Sequence, residues 1–329
     1  MKGFIYFLLL CIGLFSAGCS KEQKAPAAGQ QLILYSELDH DFTEALLAAY
    51  NQQQADKAEP VTYRAVYELQ DKWSADLVLA ERRTLNGLII DKRLQPLACA
   101  LGDRLPRKFK DQEHFWYGAF YDPAVFLVNQ KFARQQGQEH ILTWSDLENL
   151  PAFNLTMENL SNSNSTKNFL GAMADKMGET TSLNYLWNLH TVVGQYAKFP
   201  FTPIRMTAVG DADICLTRRS YVFKYLDNKF PAYVVQPQEG TPVNLYGVGV
   251  FKECGDPLAA IDFIEWLLAA EESQQVSQQV ASGYQFLFPQ GISGEAVKED
   301  KLWLNETYLT AAPQARLTDK WLARVRFSK

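Results

Sequence analysis

The stretch QLILYSELDHDFTEALLAAYNQQ, residues 31–53, decides the fold class of this chain, because it joins a short apolar strand to a helix. Its first part, Gln31–Ser36, is typical of a buried strand that ends at the polar loop ELDHD. Phe42–Gln53 then carries apolar residues at helical spacing, and Asp39 or Asp41 can cap the helix. A strand, a polar loop and a helix in this order predict one unit of an α/β fold.

The neighbouring segments repeat this pattern. Pro60–Tyr67 alternates between apolar and polar residues like a strand, and Ala75–Glu81 is another short apolar run that ends on charge. Thr84–Leu97 is typical of a helix followed by a turn. The long run Phe115–Lys131 is rich in aromatic and β-branched residues, and its Pro123 suits an edge or a bend. Together these segments predict mixed α/β structure with a mainly parallel sheet flanked by helices.

The N-terminus indicates export. Lys2 precedes the apolar run Phe4–Phe15, which is too short to span a bilayer comfortably. The residues SAGC, which end at Cys19, resemble the bacterial lipobox, in which the signal is cut before a cysteine that carries a lipid. We therefore expect a signal peptide at 1–18, lipidation of Cys19 and a flexible tether at 19–31. The alternative is a simple secretory signal, cut after Ala17 or Gly18.

Charge and cysteine content narrow the class of protein. Loss of the signal removes one lysine, which leaves 31 Lys and Arg against 37 Asp and Glu, a net charge of about −6. This balance argues against a nucleic-acid partner, which selects a basic surface. The mature chain keeps Cys99, Cys215 and Cys254 besides the anchor, so at most one disulfide forms among them, and the sequence leaves open whether it does.

Three polar stretches stand where ligands bind in α/β proteins, outside the carboxyl ends of strands and near helix N-termini. The first follows the opening strand, the second is SNSNST (161–166), and the third is TRRSY (217–221), directly after a buried strand. The candidate ligand-binding residues in these stretches are Ser36, Glu37, Asp39, Ser163, Asn164, Ser165, Arg218, Arg219 and Tyr221.

Each stretch also has a purely structural interpretation. Ser36 and Asp39 are common helix caps, and SNSNST can be a solvated loop that caps the helix after it. Arg218 and Arg219 can form surface ion pairs, which contribute little to stability. We expect one of these arginines to face a ligand and the other to point away.

An ordered set of segments resembles the solute-binding proteins of bacterial ABC importers, in the branch that binds ferric iron or small phosphorylated and phosphonate solutes. The resemblance extends over Leu32–Gln278. The segments that carry it are LILYS (32–36), WSDL (144–147) after VNQK (128–131), GDADICL (210–216), QEGTPV (238–243), GVGVFK (247–252) and DPLAAIDFIEWLLAAEESQQ (256–275).

The resemblance implies the type 2 periplasmic-binding-protein fold, with two α/β lobes and a ligand cleft between them. The crossing strands would be Tyr121–Asn129 and Thr241–Phe251. Lobe 1 would comprise 31–122 plus 246–329, and lobe 2 would comprise 123–245. Ligand would close the lobes about this hinge, and the closed form would dock on the ABC permease subunits.

The ligand prediction depends on departures from the iron binders. In these relatives two consecutive tyrosines follow the strand equivalent to DICL, whereas this chain has Ser220 and Tyr221. Asp122 stands where they tend to carry an arginine for a synergistic anion. Arginine forks bind phosphate and carboxylate oxygens well. We therefore predict a small anionic solute, phosphorylated or a phosphonate, and keep ferric iron, with Tyr221 as a metal ligand, as the alternative.

The remaining predictions follow from these. The sequence has no G-x-S-x-G elbow, P-loop or H-E-x-x-H stretch, so we expect a binding protein and not an enzyme, without a cofactor. The lipid at Cys19 would be its only membrane attachment, on the outer face of a bacterial membrane, either periplasmic or at the cell surface. A lipoprotein that presents its solute to a membrane sensor is an alternative to import.

Overall fold

A computed structural model describes residues 30–68, 75–136, 143–226, 229–269, 273, 275–276, 280, 282–289 and 298–328. The predicted signal peptide, Cys19 and nearly all of the predicted tether lie outside the described residues. Within the described part, no helix has both the length and the apolar character that a membrane span needs.

The first part of the chain builds one side of a mixed sheet, in which strand, loop and helix follow one another as the opening sequence predicts. Strand β1 pairs in parallel with both β2 and β3, and α1 follows β1 with Asp39 as its N-cap. The elements are β1 (Gln30–Ser36), α1 (His40–Gln54), β2 (Val61–Val66), β3 (Leu77–Glu81), α2 (Arg82–Ile90) and β4 (Leu94–Gln95).

The middle part builds the other side of the sheet. It begins with the long strand β5 and continues with parallel strands that alternate with helices. The elements are β5 (Trp116–Asn129), α3 (Gln130–Gln136), α4 (Trp144–Glu148), β6 (Leu155–Glu158), α5 (Asn164–Met177), α6 (Glu179–His190), β7 (Val193–Ala197), α7 (Phe201–Val209), β8 (Ile214–Arg218), α8 (Arg219–Tyr225) and β9 (Ala232–Val235).

The last part returns to the first side and then packs over the second. Its elements are β10 (Thr241–Phe251), α9 (Pro257–Ala269), β11 (Gln285–Phe286), β12 (Leu302–Trp303) and α10 (Ala311–Trp321). Phe263 of α9 joins the core around β1 and α1, whereas Trp321 of α10 joins the core around α5 and α6. The mixed α/β class with helices flanking the sheet is therefore confirmed. The expectation of a mainly parallel sheet is wrong, because the central strands β10 and β5 pair antiparallel with each other and with β3 and β8.

The strand order β2-β1-β3-β10-β5-β8-β6-β7 places β10 and β5 in the middle of the sheet. Both strands are almost completely buried, which their apolar and aromatic composition explains. They pair antiparallel with each other, β10 continues to β3, and β5 continues to β8. This arrangement fits two lobes joined by crossing strands, and the predicted lobe boundaries stay a prediction.

Pro123 marks the place where β5 changes partners. The pairing of β5 with β10 ends at Pro123 opposite Val243, and its pairing with β8 starts at Ala124 opposite Arg218. Proline has no backbone N–H, so a change of partner is where a strand best tolerates it. Asp122 stands immediately before this switch, and Arg218 lies opposite the residue after it. The switch therefore brings a carboxylate and a guanidinium to the same point of the sheet.

Candidate ligand-binding cleft

A wide cavity of about 740 Å³ opens where the loop after β1 faces the start of α8. The carboxyl end of β8 supplies Arg218, and the loop after β1 supplies Glu37 and Asp39. Such positions outside strand ends are the usual ligand sites of open α/β sheets. The lining residues are Glu37, Leu38, Asp39, His40, Asp41, Tyr67, Arg218, Ser220, Tyr221, Phe223, Lys224, Tyr246, Val280, Ser282 and Tyr284.

A narrow cavity of about 40 Å³ is also lined by Arg218. It shares Arg218 and Tyr221 with the wide cavity, so the two cavities meet at these side chains. Its lining residues are Ala124, Met157, Glu158, Leu160, Ser165, Thr166, Phe169, Leu216, Thr217, Arg218 and Tyr221.

Arg218 is fixed by contacts on several sides. Its Nη1 donates to the Tyr246 hydroxyl at 3.1 Å and lies 3.4 Å from Oδ2 of Asp122. The guanidinium carbon lies 3.9 Å from the centre of the Tyr221 ring, a cation–π geometry. Burial lowers the pKa of Arg218, but Tyr246 and Asp122 outweigh it, so the pKa stays well above its ordinary value. Arg218 is therefore a permanent, preoriented cation between the cavities.

Asp122 is the buried partner of this cation, with 1% of its surface exposed. Its carboxylate accepts hydrogen bonds from the backbone N–H of Ser220 at 2.9 Å and from the Ser220 hydroxyl at 2.6 Å. Burial raises the pKa of Asp122, while Arg218 and the Ser220 bonds oppose the shift. Ser220 thus holds the carboxylate that contacts Arg218.

Arg219 faces elsewhere. It is absent from the described residues that line the two cavities, and its guanidinium lies 5.0 Å from the ring centre of Phe223. Burial lowers the pKa of Arg219, and the nearby Tyr121 and Asp122 oppose this shift. Of the adjacent arginines, Arg218 reaches the cleft because it ends β8, whereas Arg219 begins α8.

The loop after β1 contains both structural and cavity-lining residues. Ser36 is buried, and its hydroxyl lies 2.9 Å from the Thr43 hydroxyl and accepts from the N–H of Leu38. Glu37 lines the wide cavity, but its carboxylate accepts from the Thr84 hydroxyl at 2.9 Å and from the N–H of Glu81 at 2.9 Å. The structure therefore gives Ser36 and Glu37 partners within the protein.

Asp39 has a further partner across the cavity. One oxygen accepts the N–H of Asp41 at 3.2 Å, which caps α1, and the other accepts from Lys224 of α8. The Lys224–Asp39 ion pair raises the pKa of Lys224. This pair links the first side of the sheet to the second at the wall of the wide cavity.

The SNSNST stretch positions the start of α5. Ser163 and Thr166 form a capping box, in which each side chain bonds the other residue's backbone N–H. The Ser165 hydroxyl accepts from the side-chain amide of Asn244 at 2.6 Å and lines the narrow cavity. Asn164 is exposed and is absent from the described lining of both cavities. Within this stretch, Ser165 and Thr166 are the residues in the described lining of the narrow cavity.

Several residues of the cavities and of their surroundings are not among the ligand-binding candidates that the sequence predicts. Glu158 ends β6 and lines the narrow cavity. It has the same sequence signal as Arg218, which is a charged residue at the end of a buried strand. Tyr246 and Tyr284 lie in segments without a polar signal, and only the folded sheet brings them to Arg218. Asp122 has a signal of its own, because it is a lone acid within an almost wholly apolar strand.

The described residues give little support to a metal site. No group of three or more His, Cys, Asp or Glu side chains among them is arranged to hold a metal ion. Burial raises the pKa of Tyr221, which disfavours the phenolate that Fe(III) needs, although Arg218 opposes this shift. Cys99, Cys215 and Cys254 are all free thiols.

Comparison with known proteins places the chain in a family. A family model of bacterial extracellular solute-binding proteins matches residues 73–307, most of the chain. The chain belongs to this family. An uncharacterized protein of Haemophilus influenzae is 29% identical over 169 residues, which cover 49% of this chain and 48% of that protein. The chain thus spans about half the length of this curated relative.

Solved structures confirm the type 2 periplasmic-binding-protein fold. The periplasmic binding protein AfuA from Actinobacillus pleuropneumoniae, with exogenous fructose-6-phosphate bound, matches with a TM-score of 0.67 and 19% identity, over 92% of this chain and 100% of AfuA. Iron-bound HitA from Pseudomonas aeruginosa also has a TM-score of 0.67, with 16% identity over 89% of this chain and 99% of HitA. At these identities the likeness establishes the fold.

Glu81, at the end of β3, gives a prediction about pH. Burial raises the pKa of Glu81 to about 7, with the Glu37 carboxylate adding to the shift and Arg218 opposing it. The folded chain therefore holds this proton more tightly than the unfolded chain, whose ordinary value is 4.5. The stability that protonated Glu81 contributes is complete at pH values below 4.5, its pKa in the unfolded chain. This contribution is lost as the pH rises through about 7, its pKa in the folded chain.

We expect Glu81→Gln to raise the urea midpoint of unfolding relative to the wild type, and to raise it more at pH 8 than at pH 5. The reason is that glutamine carries no charge to desolvate at either pH. The matched control is Glu253→Gln, which makes the same charge change on an exposed residue. An equal difference between Glu81→Gln and wild type at both pH values would show that Glu81 does not titrate in this range.

Proposed function

We propose that this protein is the lipid-anchored solute-binding component of an ABC importer, and that it captures a small anionic solute, phosphorylated or a phosphonate. The observation that carries the proposal is Arg218, a permanent cation whose side chain keeps 17% of its surface exposed at the junction of two cavities. Membership of the extracellular solute-binding family supports a role in binding and transport and not in catalysis.

The chemistry of Arg218 favours an oxyanion. A guanidinium has five N–H groups, and the contacts with Tyr246 and Asp122 both use Nη1. Donors therefore remain for a ligand, in a fork that matches the oxygens of phosphate and carboxylate. The fold accommodates such a ligand in AfuA, whose structure has fructose-6-phosphate bound. Ferric iron, as in HitA, is less well served here, because burial raises the pKa of every tyrosine in the described lining of the wide cavity, namely Tyr67, Tyr221, Tyr246 and Tyr284.

Arg218→Lys tests the anion site, because lysine keeps the charge and loses the fork. We expect the variant to bind phosphate esters such as sn-glycerol 3-phosphate about 10- to 100-fold more weakly, the loss of one charge-assisted hydrogen bond. Isothermal titration calorimetry on the full chain in detergent measures this loss. Arg219→Lys is the matched comparison and should retain affinity, since Arg219 lies outside the cavity linings.

Stabilisation by Fe(III)-citrate in a thermal-shift screen, with no phosphate ester or phosphonate stabilising the chain, would contradict the anion proposal. Equal losses in the Arg218 and Arg219 variants would contradict the assignment to Arg218.

We propose that the solute is captured by hinge closure about β5 and β10, which join the two sides of the sheet. A ligand that contacts both sides stabilises the closed form by its higher affinity for that form. The closed form would then dock on the ABC permease. Small-angle scattering should show a smaller radius of gyration at saturating ligand, and an unchanged radius would rule out closure.

We propose that Cys19 carries a lipid that anchors the chain on the outer face of a bacterial membrane, periplasmic or at the cell surface. The short apolar segment before SAGC supports this. Cys19→Ser should move the protein from the membrane fraction to the soluble fraction and abolish labelling by radioactive fatty acid. Labelling that persists in the variant would place the lipid elsewhere or show another anchor.

A further inference from the structure

The narrow cavity has room for a group about the size of an ammonium or a methyl. Its volume of about 40 Å³ exceeds the ~10–15 Å³ that one water needs. Apolar side chains such as Met157, Leu160 and Phe169 form much of its wall. Among the polar wall residues, Ser165 accepts a bond from Asn244, and the Thr166 hydroxyl bonds Leu160 and Ser163. These hydroxyls are already used within the protein.

Glu158 is the acidic wall residue of this cavity. It ends β6 and lines the cavity together with Arg218 and Tyr221. The side chain is partly buried, and its carboxylate accepts a hydrogen bond from the Ser163 hydroxyl. Burial raises the pKa of Glu158, and Arg218 is the cation that opposes this shift. Arg218 also forms the ion pair with Asp122, and Glu158 lines the narrow cavity together with Arg218.

An anionic ligand on Arg218 would change this balance. The anion draws on the same positive charge that compensates Glu158, which leaves a partly buried carboxylate without an equal partner. A hydroxyl can bond a carboxylate, whereas a ligand cation both bonds it and compensates its charge. The narrow cavity, with Glu158 in its wall, is where that cation can lie.

We propose that the solute is a zwitterion, whose anionic group binds Arg218 from the wide cavity and whose ammonium enters the narrow cavity to pair with Glu158. Since Arg218 and Tyr221 line both cavities, the two groups are joined by a short spacer. The inference rests on the proposed function, because it requires the anion to bind at Arg218.

Three small phosphate esters test the pairing on the full chain in detergent. O-Phosphoethanolamine offers an ammonium, sn-glycerol 3-phosphate offers hydroxyls, and propyl phosphate offers neither. We expect calorimetry to rank O-phosphoethanolamine first in wild type. Glu158→Gln should weaken O-phosphoethanolamine about 10- to 100-fold, the loss of a charged hydrogen bond, and should not weaken propyl phosphate, because the change removes a negative charge beside Arg218.

Glu253→Gln is the matched control, since it removes the same charge from an exposed residue and should leave all three affinities unchanged. If Glu158→Gln does not fold, the wild-type ranking alone decides. Propyl phosphate binding as tightly as O-phosphoethanolamine, or an unaltered affinity of Glu158→Gln for O-phosphoethanolamine, overturns the ammonium site while the anion site stands. If sn-glycerol 3-phosphate binds more tightly than O-phosphoethanolamine, the narrow cavity takes a hydroxyl and not an ammonium, and the ammonium site is overturned. No binding of any ester overturns both proposals.

Discussion

The ion pair between Arg218 and Asp122 connects the buried sheet to the cleft, and several features of the molecule depend on it. The two side chains come together because β5 changes its partner from β10 to β8 at Pro123. Removing one member of a buried pair typically costs about 3–5 kcal/mol, because the other charge is left without a partner. The start of α8 is tied to the same pair through the Ser220 bonds to Asp122.

The site that we propose for an anion is rich in acidic side chains. Glu81, Asp122 and Glu158 all have pKa values raised by burial, and Arg218 lowers each of them. Arg218 therefore contacts Asp122 directly, and its charge also favours the ionised forms of Glu81 and Glu158. A ligand that brings only negative charge would increase this imbalance, whereas a ligand that also brings a positive group would relieve it. The charges around Arg218 are therefore consistent with the zwitterionic solute that we propose.

The candidate site could be predicted in part, because its residues follow buried strands. Arg218 and Glu37 carry that signal, and both line the wide cavity. Glu158 has the same signal after β6, yet the sequence does not show that β6 lies next to β8 and so beside Arg218. Ser36 illustrates the opposite case, since it stands in the right place and uses its hydroxyl within the protein.

The sequence by itself determined the α/β class, the alternation of buried strands with helices, and the order of segments that identifies the family. These properties depend on local periodicity and composition, which the linear chain displays directly. Only the tertiary structure decided that Arg218 faces the cleft and Arg219 does not, that Asp122 compensates Arg218, and that Glu158 borders a second cavity. These facts depend on strand order and on the partner change at Pro123. Contacts between residues almost a hundred positions apart follow from packing, which no local pattern records.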